Sequence, residues 1–538
     1  MSSWNFADVW EVVADQLPEA QALVHGDRRL TWAEMDRRAD GVARALLDSG
    51  AGHQDKVAQY LTNCPEYLES LFGIWKAGLV PVNTNYRYAD DELVYLWENA
   101  DAVAVVFHAS FTERVEAVRS RVPGVKLWLW VDDGSGSDCP DWAVRYEDAA
   151  ASATERVRGP WGRSGDDLYL LYTGGTTGMP KGVMWRQDDL FATLNATAPV
   201  RYPEDGDLDD VQATLVKPGP VTLPACPLMH GTGAFSALPV LSSGGSVVTL
   251  TGRSFDVVEL LETIERENVK STVIVGDAFA KPMLRALEES PGRFDISSLR
   301  VISSSGVMWS GATKEGLLRH HPTVLLVDSF GSSEAISMGT SVSTGGDAAK
   351  TATFTLSDRT RVLADDGSWV QPGSGVRGVV AIKGRTPMGY YKDPEKSAGT
   401  FREIDGERWS IPGDYAEVEA DGSLTLLGRG SVCINTGGEK VYPEEVEEVL
   451  KEHPSVRDAV AVGVPDERLG EAITAVVELV PGQVLDEGSI IGLVKSRLAA
   501  FKAPKHVLAV DTIGRAANGK VDYKRLKAHA TANLANVR

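Results

Sequence analysis

Met35, Ala39, Val42 and Leu46 recur at spacings of four, three and four, the period of one helix face. Thr31 precedes them and Glu34 follows it by three, so a hydroxyl and a carboxylate can each satisfy an otherwise unpaired helix N–H. An amphipathic helix with a capping box is expected there. Short runs rich in β-branched and aromatic residues then alternate with helical stretches, at 57–61, 102–107, 168–172, 247–250, 271–275 and 323–327. Such alternation predicts parallel sheets covered by helices, an α/β fold.

After about Gly428 the texture changes. Pro443 suits the first turn of a helix, where its missing N–H costs nothing. Glu444, Glu445 and Glu447 favour the positive end of that helix, and Val446, Val449 and Leu450 supply an apolar side. Strand-like segments at 458–464 and 472–480 follow, so a small α+β unit is expected. The chain divides on this reading into a large N-terminal domain, 1–428, and a small α+β C-terminal domain, 429–538. There is no repeat of 20 to 50 residues, which argues against solenoids and propellers.

Length and charge narrow the picture. At 538 residues the chain exceeds one ordinary core. A net charge of -21 opposes attraction to nucleic acid or anionic lipid. The exception is 491–538, which holds ten Lys/Arg against Asp511 and Asp522, either a solvated face or a place for an anionic ligand. Cys64, Cys139, Cys226 and Cys433 lie far apart without metal-ligand spacing, which fits a reducing compartment. No leader and no membrane-length apolar run is evident, so a cytosolic location is expected, with no integral membrane segment. Whether the chain is a monomer or a homo-oligomer is left open.

The strongest chemical signal follows the apolar run Leu170-Leu171-Tyr172. It is Thr173-Gly174-Gly175-Thr176-Thr177-Gly178-Met179-Pro180-Lys181-Gly182. Glycines expose backbone N–H groups, threonines add hydroxyl donors and Lys181 adds a charge, which together suit a polyphosphate better than a plain surface turn does. Pro180 before the Lys and Gly182 after it exclude a Walker A loop.

This segment matches in full the T-[SG]-G-[ST]-T-G-x-P-K-G signature of the adenylate-forming superfamily, which includes acyl-CoA and aryl-CoA synthetases, luciferases and peptide-synthetase adenylation domains. The resemblance covers essentially the whole chain, and it implies the roles that follow. Phe330-Gly331-Ser332-Ser333-Glu334 resembles the family's Y-G-x-T-E, with the ring stacking on adenine and Glu334 offering magnesium a hard oxygen ligand. Taken alone, such a Glu is more often a helix cap. Asp414, in Ser410-Ile411-Pro412-Gly413-Asp414, resembles the Asp that accepts hydrogen bonds from both ribose hydroxyls, with Pro412 replacing the family's Thr. Ser305-Gly306-Val307 falls where relatives place an adenine-contacting segment.

Pro227-Leu228-Met229-His230-Gly231 resembles the motif whose aromatic or His side chain borders the substrate carboxylate. Arg429, in Gly428-Arg429-Gly430-Ser431, resembles the Arg of the domain hinge, with Ser431 replacing the usual Asp or Lys pivot. Gly437-Gly438 resembles the loop that approaches the pantetheine of coenzyme A. Asn518-Gly519-Lys520 resembles the motif whose Lys joins the carboxylate and the α-phosphate.

The resemblance therefore implies ATP, Mg2+ and CoA as reactants, a small-molecule carboxylic acid as partner, and Lys520, Lys181, Glu334 and His230 as the catalytic group. Around Met184-Trp185-Arg186 and 430–445 the chain is similar to actinobacterial fatty-acid and steroid side-chain acid CoA ligases. The segment 273–279 is a candidate acyl-pocket wall, although Asp277 reads more simply as a helix N-cap. The alternatives are an aryl-CoA or acyl-AMP ligase, a luciferase-like enzyme, or a catalytically silent nucleotide-binding regulator.

Overall fold

The expected capping box forms. Thr31 N donates to Glu34 Oε2 at 2.8 Å and Glu34 N to Thr31 Oγ1 at 3.2 Å, at the start of the helix Trp32–Asp48, whose Met35, Ala39, Val42 and Leu46 are buried. The computed structural model describes residues 4–535 apart from 174–178, 308, 347–349, 430, 431, 433, 437, 438, 467, 468, 499, 517 and 518.

All six early strand segments form, five of them within a residue or two of expectation and the sixth running on to Ser332, each with at least one parallel neighbour. They divide between two sheets. One, of eight strands, runs in the order Gly389–Tyr390, Lys181–Arg186, Leu168–Thr173, Val80–Asn83, Lys56–Tyr60, Ala102–His108, Leu127–Val131, Val144–Arg145. The other, of fifteen, carries the remaining parallel strands at its centre and continues past Leu325–Ser332 into antiparallel strands that reach Leu424–Arg429. Alternating inward positions such as Val380 and Ile382 bury a core there with Phe330, Phe354 and Ala416.

Helices Phe6–Gln16, Trp32–Asp48 and Pro65–Lys76 pack against these sheets around Trp10, which meets Trp32 and Trp75 edge to face. Beside them a fully buried ammonium is compensated by three acids. Lys76 Nζ lies 3.1 Å from Glu11, 2.6 Å from Asp36 and 2.7 Å from Asp40. Without them an unpaired charge would be buried in low dielectric.

The third sheet has five strands, with Gly470–Leu479 at its centre, antiparallel to Val456–Asp466 and parallel to His506–Val510. Helix Pro443–Lys451 starts on its proline and buries Val446, Val449 and Leu450. Glu447 departs from expectation. It is buried, where its carboxylate accepts from Ala461 N at 3.0 Å and Tyr523 Oη at 2.9 Å, and burial pushes its pKa up. Much of the basic tail is internally neutralised: Arg497, Lys502, Arg515 and Lys527 pair with Glu452, Glu445, Asp458 and Glu471. Among the described residues no helix is long and apolar enough to cross a membrane.

Candidate active site

Leu168–Thr173 is buried along its middle and returns as Lys181–Arg186, with Thr173 opposite Lys181. Gly174, Gly175, Thr176, Thr177 and Gly178 lie outside the described residues. The strand's exit is fixed by Asn83: Tyr172 N donates to its Oδ1 at 2.6 Å, and its Nδ2 donates to Tyr172 O at 2.8 Å and to Met229 O at 2.7 Å. One buried amide thus ties the phosphate-loop strand to the residue before His230. Asn63 holds the same segment a turn earlier, accepting from Leu228 N at 2.7 Å and donating to Cys226 O at 3.0 Å.

His230 precedes helix Gly231–Ser242. Burial, then the cations Lys520 and Arg87, push its imidazole down to about 3, so the ring is neutral at physiological pH. One of the two cations that act on His230 is thus Lys520, from the far end of the chain. The hairpin bearing it seats on the N-terminal part: a β-carbon at Gly519, whose φ is +71, would lie 2.8 Å from Val307 and 3.0 Å from Val275. Gly306 follows Ser305, the last residue of strand Val301–Ser305, and the position its β-carbon would take is 3.6 Å from Thr232. Ser305-Gly306-Val307, Gly519-Lys520 and, through Thr232, the start of the helix after His230 therefore border one region. Val275 belongs to it, whereas Asp277 is not the N-cap of helix Gly276–Glu289; that position is Val275. Asp277 sits in the first turn and accepts from Ser310 N at 3.1 Å and Ser310 Oγ at 3.0 Å, which uses its carboxylate across the gap instead.

Glu334 lies in the tight turn between Leu325–Ser332 and Ala335–Ser343, with Ser332 paired to Ala335, so it caps no helix. The turn is gripped by its carbonyls: Ser410 Oγ donates to Glu334 O at 2.7 Å and Trp185 Nε1 to Ser333 O at 3.0 Å. Tyr390 Oη donates to Glu334 Oε1 at 2.8 Å. Lys181 Nζ sits 5.6 Å over the Tyr390 ring and 3.2 Å from Asp393. Lys181 and Glu334 are thereby joined through Tyr390. In the same strand as Gly331 and Ser332, Phe330 is buried against Phe354 at 5.5 Å. Asp414 opens strand Asp414–Val418 four residues after Ser410, nearly buried at 8% exposure, with its backbone opposite Arg429. Gly428, with φ +111, is packed by the Glu444 carboxylate where a side chain would otherwise stand. Gly430, Ser431, Gly437 and Gly438 lie outside the described residues.

The donor set bears on a metal. Among the described residues no group of three or more His, Cys, Asp or Glu could hold one. The single carboxylate of Glu334 fits the other mode, in which magnesium takes one or two protein oxygens and completes its shell with phosphate and water.

The family model described as "AMP-binding enzyme" matches residues 10–392, and that described as "AMP-binding enzyme C-terminal domain" matches 445–520. The chain belongs to the AMP-binding enzyme family. Among members of that family, a Mycobacterium marinum protein named medium/long-chain-fatty-acid–CoA/3-oxocholest-4-en-26-oate–CoA ligase is 42% identical over 539 residues, covering 99% of this chain and 98% of its own. A Rhodococcus rhodochrous 3-oxocholest-4-en-26-oate–CoA ligase is 40% identical, covering 97% and 95%. The crystal structure of ATP-bound MatB from Rhodopseudomonas palustris superposes with a TM-score of 0.81 at 27% identity, covering 98% of this AMP-binding enzyme and 99% of that chain. Asn83, Tyr390 and Asp393 had no motif to announce them. Asp393-Pro394 signals only a helix start, which Asp393 also provides by accepting from Lys396 N at 3.0 Å.

Proposed function

We propose that this chain is an AMP-forming acyl-CoA ligase for a medium or long aliphatic acid or a sterol-derived side-chain acid. What supports the reading is the approach of Gly519, the residue before Lys520, to Val307 and Val275, with Gly306 in turn close to Thr232 and so to the neutral His230. The choice of acid rests on the mycobacterial and rhodococcal relatives.

In the first half-reaction the substrate carboxylate attacks the α-phosphorus of ATP. A bond forms between carboxylate oxygen and phosphorus, the α–β bridging bond breaks, and pyrophosphate leaves. Two anions must be brought together, so catalysis is chiefly positioning and cationic stabilisation. A neutral His230 adds no competing charge and borders the carboxylate. Lys520 bridges carboxylate and α-phosphate, while Lys181 and the loop 174–178 hold the phosphates. Glu334 would hold magnesium, which when bound neutralises phosphate charge. Asp414 accepts from the ribose hydroxyls, Arg429 lies near ribose or phosphate, and Ser305, Gly306, Phe330, Gly331, Ser332 and Ser333 border adenine. In the second half-reaction the CoA thiol attacks the acyl carbonyl and AMP departs. A turn of the 429–538 unit about its hinge exchanges Lys520 for the Gly437-Gly438 loop. Cytosol is the compartment that fits the unpaired thiols.

Acid-dependent exchange of pyrophosphate into ATP tests the first step, and loss of free CoA thiol over a panel of fatty, steroid and aryl acids tests the second. Lys520→Ala should abolish exchange and spare thioester formation from supplied acyl-adenylate. Equal loss of both steps refutes the division, and no exchange with any acid refutes the ligase reading.

A further inference from the structure

Lys520 ends a hairpin closed by two backbone bonds, Ala516 N to Lys520 O and Gly519 N to Ala516 O, each 2.8 Å. At its base the Arg515 guanidinium makes three. Nε and Nη2 donate to the two carboxylate oxygens of Asp458 at 2.6 and 2.8 Å, and Nη1 donates to the Gly519 carbonyl at 3.1 Å. Asp458 belongs to the long edge strand Val456–Asp466, and Lys451 Nζ lies 3.9 Å from its carboxylate.

We propose that Arg515 is a positioning residue for adenylate formation, fastening the carbonyl next to Lys520 to the sheet so that the ammonium arrives in one place. The inference rests on the ligase reading above. A bidentate Asp–Arg pair is complete with two bonds; the third goes to the peptide one residue before Lys520. That peptide sits where there is no room for a side chain, since a β-carbon at Gly519 would lie 2.8 Å from Val307 and 3.0 Å from Val275. A planar guanidinium can bond a carboxylate and a carbonyl at fixed angles at once, which an ammonium cannot. Arg515 acts on the reaction through Lys520, so its loss should be felt where Lys520 acts and be silent where it does not.

The experiment measures both half-reactions in full-length Arg515→Met, Arg515→Lys and Asp458→Asn. A displacement of about 1 Å at a catalytic group costs ~100-fold. Arg515→Met should slow acid-dependent pyrophosphate exchange about 100-fold and leave thioester formation from supplied acyl-adenylate and CoA within about threefold of wild type. Arg515→Lys should recover only part of the loss. In a Lys520→Ala background Arg515→Met should remove nothing further. A merely structural role would lower both half-reactions together. That outcome, or exchange within about twofold of wild type, overturns the inference and leaves the ligase reading standing. Should Arg515→Met fail to fold, Asp458→Asn decides by the same ratio, since it keeps the side chain's shape and loosens the guanidinium's two carboxylate bonds. A wild-type chain that exchanges nothing with any acid overturns both.

Discussion

Replacing Tyr390 by Phe removes one oxygen from the link between Lys181 and Glu334. The ring keeps its tilted contact with Phe401 at 5.7 Å and stays under the Lys181 ammonium, so packing is preserved. What goes is the 2.8 Å hydrogen bond to Glu334 Oε1. A hydrogen bond to a charged group contributes about 1.5–3 kcal/mol, and each 1.36 kcal/mol is tenfold in rate, so the largest effect is about 10- to 150-fold. If Glu334 holds magnesium, the cost should fall on metal use: half-saturation should shift to higher Mg2+ and excess Mg2+ should restore part of the rate. Pyrophosphate exchange titrated with Mg2+ at fixed ATP is the assay. Thioester formation from supplied acyl-adenylate, which involves no pyrophosphate, serves as the internal control. An unchanged exchange rate and Mg2+ curve would show that Tyr390 does not orient Glu334 for catalysis.

Asp414→Ala should raise the ATP requirement of exchange by roughly ten- to a hundredfold, as loss of hydrogen bonds to an ionised acceptor implies; an ATP curve that overlays wild type removes its ribose role. Lys76→Met should lower stability by about 3–5 kcal/mol, because three largely buried carboxylates lose their shared cation, read as the midpoint of urea unfolding. An unmoved midpoint means those acids are neutral in the fold. Burial holds the His108 imidazole at about 4 against an ordinary 6.5, with Thr62 N and Oγ1 at 3.3 and 3.2 Å from its Nδ1. The unfolded chain therefore binds a proton that the folded chain refuses. His108 contributes stability that is full above pH 6.5 and lost as pH falls towards 4, about 3 kcal/mol over the window. His108→Asn should flatten the acid limb of stability against pH; parallel limbs contradict the assignment.

How much of this could be read from sequence depended on distance along the chain. The capping box and the strand at 168–172 are local patterns and appeared where expected. The antiparallel strands beyond Leu325–Ser332 were equally local yet overlooked, although Asp405-Gly406 joins Phe401–Ile404 to Glu407–Ser410 as a two-residue hairpin, with φ +55 and +75. Asp277 misled because an Asp at a helix start has a common default partner, and Ser310, 33 residues away, claimed it instead. Glu334 read alone as a cap because a hairpin and a helix start can share the same few residues. Asn83, Tyr390 and Arg515 were illegible for a different reason: an amide, a phenol and a guanidinium acquire meaning only from partners 146, 56 and 57 positions away. The candidate chemistry was visible in linear motifs, while the side chains that aim it were not.

The first β-hairpin has a temporal consequence. Gln21–His25 lies between Arg28–Thr31 and Ser246–Thr249, with Leu23 abreast of Val247. During synthesis its inner edge waits for a strand 224 residues downstream, the difference between those two positions, which at about 5–20 residues per second is roughly ten to forty-five seconds. Until then an apolar edge is open to wrong neighbours. The nascent chain thus spends its longest vulnerable interval at its beginning, and slowing elongation before residue 246 should increase its dependence on chaperones more than the same slowing after residue 434, where the final sheet closes within a short stretch of chain.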